Sequence, residues 1–305
     1  TKALGLDKRI HNSDGTSVST YTFCHGYANT HDFSGVIESS RHSVCCSLLA
    51  EVDGSMQRDY AYTTARKHED MMDGDDLAAL AAKRTVERLS PRQIETQKTP
   101  VIFSSRVSSG LIGAFIQAVS GSSLYRKQTF LLDSLGQAIF PENIHIFEEP
   151  HRLGGLGSSP FDGEGIITRP NVFIKDGVLQ QYVLGSYSAR KMGLQTTANS
   201  SGVHNLTVSP TAGDLDDLLK KMDKGLLITE LMGQGVNGIT GDYSRGASGF
   251  WVEDGKIQYP VDGVTVAGNL KDMFQQIVAV GTDVDPSIST RCGSILIEEM
   301  MVAGG

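Results

Sequence analysis

The 305 residues hold no apolar run near the roughly 20 residues that cross a bilayer as a helix. They hold no Lys/Arg run longer than a pair, a single tryptophan, nine prolines and four cysteines. Each shortage removes a class of protein. The missing apolar run excludes a helical membrane span. With 27 basic against 35 acidic residues the chain carries −8, and without a clustered basic face no direct nucleic-acid binding is expected. Cys24, Cys45, Cys46 and Cys292 form no CxxC pair, so neither a disulfide framework nor a zinc finger is supported, and reduced thiols in the cytoplasm are the expectation. The His68-Glu69 pair is followed by Met72, where a zinc-binding HExxH would need histidine. There is no P-loop, and the sequence opens at Thr1 with no initiator Met and no signal-like segment.

Glycine, by contrast, is abundant: 34 residues against a usual level of roughly 7%. Its excess points to many tight turns, and 39% apolar residues with 20% charged ones exclude wholesale disorder. The fold class expected is α+β, a leading α+β domain over residues 1–95 followed by a β-rich, barrel-like or antiparallel domain over 96–305.

In the leading part, 44–52 reads as a strand turning at Asp53-Gly54 into 55–61, among otherwise short extended pieces. Asp75-Asp76 is expected to cap a helix reaching about Leu89, stopped by Ser90-Pro91. The polar stretch 92–99 marks the boundary. Beyond it, 101–103 is a strand, and Ser104 and Ser105 cap a helix with Val107, Leu111, Phe115 and Val119 facing the core and Gly121 at its C′ position. Strands are expected at 144–148, 165–168, 172–174, 178–184, 226–231, 249–252, 257–259, 263–267 and 294–297, and helices at 214–222 and 270–280. The segments 173–180 and 251–258 echo each other around Asp-Gly, a type I′ hairpin signal.

The chemistry-bearing patterns are few. Gly233, Gly235 and Gly238 match G-x-G-x-x-G, but the glycine-broken sequence that follows lacks the helix a dinucleotide needs. Cys46 and its neighbour Cys45 sit in a strand near His42. A thiol nucleophile can be imagined there, although core packing is the better reading. Asp242, Tyr243, Ser244 and Arg245 gather an acid, a phenol, a hydroxyl and a guanidinium in what reads as a glycine-permitted loop, a candidate cleft edge.

These stretches also carry a resemblance. ELMGQG at 230–235, TGDYSRGASGFWVEDG at 240–255, IQYP at 257–260 and AGNLKDM at 267–273 resemble the PmbA (TldE) branch of the TldD/PmbA family. DYAY at 59–62, YRK at 125–127, TFLLDSLG at 129–136, SPFD at 159–162 and SYSARK at 186–191 agree with it. The resemblance implies a subunit of a cytoplasmic zinc metalloprotease, a heterodimer of TldD-type and PmbA-type chains acting on unfolded peptides. Its implied roles are leader removal from a peptide antibiotic, antitoxin degradation and modulation of DNA gyrase. Family members carry further sequence before this start, so a leading part is expected to be missing.

The TldD-type chain of the family holds zinc through an HExxxH helix and a later cysteine. Carried onto this chain, the first ligand, general base and second ligand fall on Ile112, Gly113 and Gln117, and the third ligand on Cys292. Neither imidazole nor carboxylate stands at the helix positions. The resemblance therefore implies no zinc and no cofactor in this chain, with zinc in the TldD-type partner and a homodimer admitted when that partner is absent. Two other readings stay open, a regulator that binds gyrase or another protein and an independent hydrolase using Cys46 or Cys292.

Overall fold

Three Asp-Gly pairs, Asp53-Gly54, Asp176-Gly177 and Asp254-Gly255, hold both of their residues at positive φ, between 49° and 80°. This is the backbone of a type I′ turn, whose twist matches that of antiparallel strands, and each pair closes a hairpin. The structure is a computed structural model describing residues 2–304.

The leading sheet has the order β1 (Ile10–Ala28), β2 (Ser34–Val52), β3 (Ser55–Ala65), antiparallel throughout. Its first two strands are 19 residues each, not the short pieces expected. Most of β1 is exposed on both faces, with Val18 75% exposed, so no period-two pattern marks it. α1 (Gly74–Glu87) lies on the sheet and buries Leu77, Ala81 and Ala82 against Cys46, Leu48, Ala50 and Ala61. Its cap is Asp73, whose side chain accepts from the Asp75 amide, rather than the expected Asp75-Asp76 pair.

β4 (Gln97–Phe103) opens the second part, followed by α2 (Ser105–Ala118) and α3 (Gly121–Tyr125). Gly121 is not the left-handed C′ residue expected. It opens α3, where a Cβ would collide with Ser188. Then come β5 (Ile146–Glu148), β6 (Asn171–Lys175), β7 (Val178–Leu179), α4 (Ser186–Met192), β8 (Leu206–Val208), α5 (Leu215–Met222), β9 (Gly225–Met232) and β10 (Asp242–Glu253). β11 (Lys256–Asn269), α6 (Leu270–Gln275), β12 (Ile277–Val280) and β13 (Ile295–Ala303) complete the chain. Strands β11-β10-β9-β4-β13 form a barrel closed by β11–β13 pairing, parallel only between β4 and β9. β12 extends it at β13, and β7-β6-β5-β8 form a separate sheet. The α+β class stands.

Several boundaries move. The helix expected through 280 stops at Gln275, because Ile277–Val280 is a β-branched run that pairs with β13. The two strands expected at 257–259 and 263–267 are one, carried through an irregularity by Gly263 at φ 71°. The strand expected over 178–184 covers only 178–179, and 165–168 contributes a single bridge from Ile167 to Phe161. The sequence reading missed α4, which ends at Gly193 with φ 67°. In β4, β9 and the start of β13 the side chains alternate. Val101, Phe103, Leu226, Ile228, Ile295 and Ile297 enter the main core, while Ile102, Leu227 and Leu296 meet Leu218, Leu219 and Met222 of α5.

Candidate functional site

α2 follows Ser104, whose hydroxyl caps nothing; the first amide of the helix instead donates to Ser294 Oγ at 3.0 Å. Leu111, Ile112, Phe115 and Ala118 bury one face. The opposite face is built from small or short groups. Gly110, Gly113 and Gln117 are exposed, Ser109 and Ala114 half-buried. Two cavities lie against it. One, about 310 Å³, is lined by Tyr60, Arg106, Ser109, Gly110, Glu230 and Arg245 among others. The next, about 560 Å³, runs from Gly110 past Ala114 and Gln117 to Phe130, Val236 and Ile239. Gln117 holds its place by donating Nε2 to Ser123 Oγ at 3.1 Å.

The four positions aligned with the zinc site do not converge. Ile112 is 1% exposed in the core, and five residues on, about 140° around the helix, Gln117 faces outward. Gly113 has open space where a Cβ would stand. Cys292 is enclosed on the inner side, its carbonyl accepting from Ser108 Oγ at 3.3 Å. Its burial, with a smaller push from Asp283 and against the Ser108 hydrogen bond, raises the thiol to about 12. One amide and one protonated thiol on opposite sides of a helix do not fit a tetrahedral zinc, and among the described residues no three His, Cys, Asp or Glu gather to hold a metal. The same raised thiol is the wrong form for a nucleophile, and Cys46 packs in the core against Leu48 and α1.

The 242–245 segment is strand, not loop. Its four residues form the start of β10 and so alternate between faces. Tyr243 is 4% exposed beside Phe103, with ring centroids 6.2 Å apart. Burial outweighs the opposing pull of Arg245 and raises its phenol to about 12. Arg245 reaches the 310 Å³ cavity. Asp242 and Ser244 are exposed, and Asp242 accepts from Thr240 Oγ1 at 2.6 Å and from Asn269 Nδ2 at 3.2 Å. Of the four, only Arg245 lines a cavity along α2.

Sequence reasoning missed the group that fixes this helix to the leading sheet. Asp59, 3% exposed on β3, accepts from both terminal nitrogens of Arg106 at 2.6 and 3.0 Å. Arg88, just past α1, stands 3.6 Å from the same carboxylate and 2.5 Å from Glu230 on β9. Burial alone would raise the Asp59 pKa; the Arg106 hydrogen bonds and charge, with Arg88, hold it below the usual carboxylate range. Asp59 lies within the DYAY stretch, but Arg88 and Arg106 belong to no motif.

The geometry can now be set beside known proteins. The family model described as the PmbA/TldA metallopeptidase C-terminal domain matches residues 96–304, and that of the central domain matches residues 1–89. The chain belongs to the PmbA/TldD metallopeptidase family. Metalloprotease PmbA of Escherichia coli O157:H7 is 49% identical over 302 residues, which is 99% of this chain and 67% of that protein. The Metalloprotease PmbA homolog of Haemophilus influenzae is 44% identical over 99% of this chain and 67% of its own length. A Bacteroides thetaiotaomicron protein, solved as a candidate modulator of DNA gyrase, superposes with a TM-score of 0.94 at 29% identity, covering all of this chain and 69% of that one. Among the described residues no helix is long and apolar enough to cross a membrane.

Proposed function

We propose that this family member is the non-catalytic subunit of a two-chain peptidase, pairing with a TldD-type chain that carries the zinc. The observation that carries the reading is the outer face of α2. Where the family resemblance puts a general base and a ligand, this face presents Gly113 and Gln117, with Ile112 turned into the core. A glycine and an amide bring neither a proton acceptor nor a metal donor of the needed strength.

What the face does offer is room. Gly110, Gly113 and Ala114 keep it low, and the cavities beside it are lined by mixed polar and apolar groups. Such a groove suits an unfolded peptide, whose backbone comes close where side chains are small. In this reading the subunit shapes and closes the chamber in which the partner's zinc works. The four free cysteines support a reducing, cytoplasmic setting.

The test is cleavage of an unfolded peptide by the full-length protein, by a TldD-type chain, and by the two mixed. The expected result is activity in the mixture alone, abolished by chelator. Turnover by this chain alone would overturn the reading.

A further inference from the structure

The N-terminal end of α2 meets a larger cavity of about 680 Å³, enclosed between β3, α1 and the loops around 152–156 and 284–291. Five arginines line it, Arg66, Arg84, Arg106, Arg152 and Arg291, against two carboxylates, Asp70 and Asp285. Counting also Asp59 behind Arg106 and Glu149 behind Arg152, guanidiniums still outnumber carboxylates five to four. That is a local reversal of sign in a chain of net −8.

The arginines are not equally occupied. Arg106 and Arg152 are held in ion pairs with Asp59 and Glu149. Arg66 donates to the carbonyls of Leu156 at 2.6 Å and Ser40 at 3.1 Å and to the Ser39 hydroxyl, bonds that orient it without cancelling its charge. Arg84 donates to the Tyr60 carbonyl at 3.3 Å; burial, then repulsion from Arg106, lowers its pKa. Of the two wall carboxylates, Asp285 already accepts from Tyr62 Oη and from the Ser287 amide, both at 2.8 Å. Among the described residues, Arg66, Arg84 and Arg291 lie in no ion pair within 4 Å, although Asp59 and Asp285 act on Arg84, and Arg291 on Glu149, from farther away.

The cavity adjoins the groove along α2. Arg106 walls both it and the 310 Å³ cavity, and Gly110 lines both that one and the 560 Å³ cavity. Fourteen helical residues extend about 21 Å, the reach of about six extended residues. We propose that the arginine-walled cavity is a subsite for the acidic side chains of a peptide lying along α2, selecting substrates with a Glu/Asp-rich segment. This rests on the peptide-groove reading above. The guanidiniums come from separate walls, which suits several carboxylates along a chain better than one phosphate.

The test is fluorescence anisotropy on the full-length protein with two labelled probes, an unstructured peptide with a Glu-rich end and its Gln isostere, and inorganic pyrophosphate as an unlabelled competitor. The expected result is a preference of about tenfold for the Glu peptide, collapsing toward parity in 1 M salt. Arg84→Gln with Arg291→Gln should remove the preference and leave Gln-peptide binding unchanged. Arg291→Gln alone, at an exposed side chain, should weaken it without risk to the fold. Equal binding of both peptides, or a preference that survives the double substitution, overturns the subsite and leaves the groove standing. Pyrophosphate binding without a peptide preference overturns it in favour of a small-anion site. Binding of neither peptide overturns the groove reading itself.

Discussion

Arg106 grips Asp59 through both of its terminal nitrogens, at 2.6 and 3.0 Å, across the joint between β3 and α2. The carboxylate is almost wholly buried, and Arg88 extends the network to Glu230 on β9. One charge thus fixes the helix that floors the candidate groove against a strand at its side. Asp59→Asn leaves two guanidiniums facing a neutral amide, and breaking a buried pair in this way costs about 3–5 kcal/mol. Urea unfolding at pH 7 should show that loss, with a midpoint well below that of the parent.

The same contact has a pH signature. A carboxyl held below its unfolded value contributes stability fully above an unfolded pKa of about 3.9 and loses it as pH falls through the lowered folded value. The urea midpoint of the parent should therefore fall more steeply between pH 5 and pH 2 than that of Asp59→Asn. Parallel curves would show that Asp59 carries no linked proton.

Ile112 and Gln117 should respond in opposite ways to histidine. Ile112→His places an imidazole in a core closed by Phe115 and Leu111, and a loss of about 2–5 kcal/mol is expected from lost apolar contact and unpaired polar atoms. Gln117→His, on the exposed face, should stay within about 0.5 kcal/mol of the parent. The combination Ile112→His, Gly113→Glu and Gln117→His should take up no zinc in calorimetric titration, because the first position points away from the other two. Stoichiometric tight uptake would show that the helix can turn to present it.

What could be read from the sequence follows how local each signal is. The Asp-Gly turns carry their conformation in two residues, and 214–222 has its cap, acidic start and basic end all within one helix, so these were legible. β1 was not, because a strand exposed on both faces leaves no alternation to read. The 242–245 segment looked like a loop because Gly241 and Gly246 flank it and glycine marks strand irregularities as readily as turns, and only pairing to β11 makes it the start of β10. Asp59 and Arg106 are 47 residues apart with no motif linking them. Ile112 inward and Gln117 outward follow from periodicity, yet the family alignment sets them side by side as if they shared a face.

The cysteines should separate cleanly by reactivity. Cys24 is exposed on the ribbon and Cys45 half-buried, with burial and then Cys46 raising the Cys45 thiol. Cys46 and Cys292 are buried, and Cys292 is raised to about 12. With a thiol reagent at pH 8, the native protein should show one fast equivalent from Cys24, a slower one from Cys45, and the other two only in denaturant. A fast reaction at Cys292 would mean that the inner side of α2 opens, and would return thiol chemistry to consideration.

Gly110 and Gly113 offer the sharpest separation of stability from function. Both lie in the interior of α2 and both have open space where a Cβ would stand. Removing glycine from an exposed helix interior normally adds about 0.5–1 kcal/mol, so each Gly→Ala change should raise the unfolding midpoint. If the low face of the helix matters only for folding, the stabilised double variant should support proteolysis by the mixed subunits at least as well as the parent. If the face must admit a peptide backbone, bulk there should weaken peptide binding while stability rises. A larger side chain, Gly113→Trp, should then deepen the binding loss without unfolding the helix. Full activity in Gly113→Trp would remove the groove from the route of the substrate.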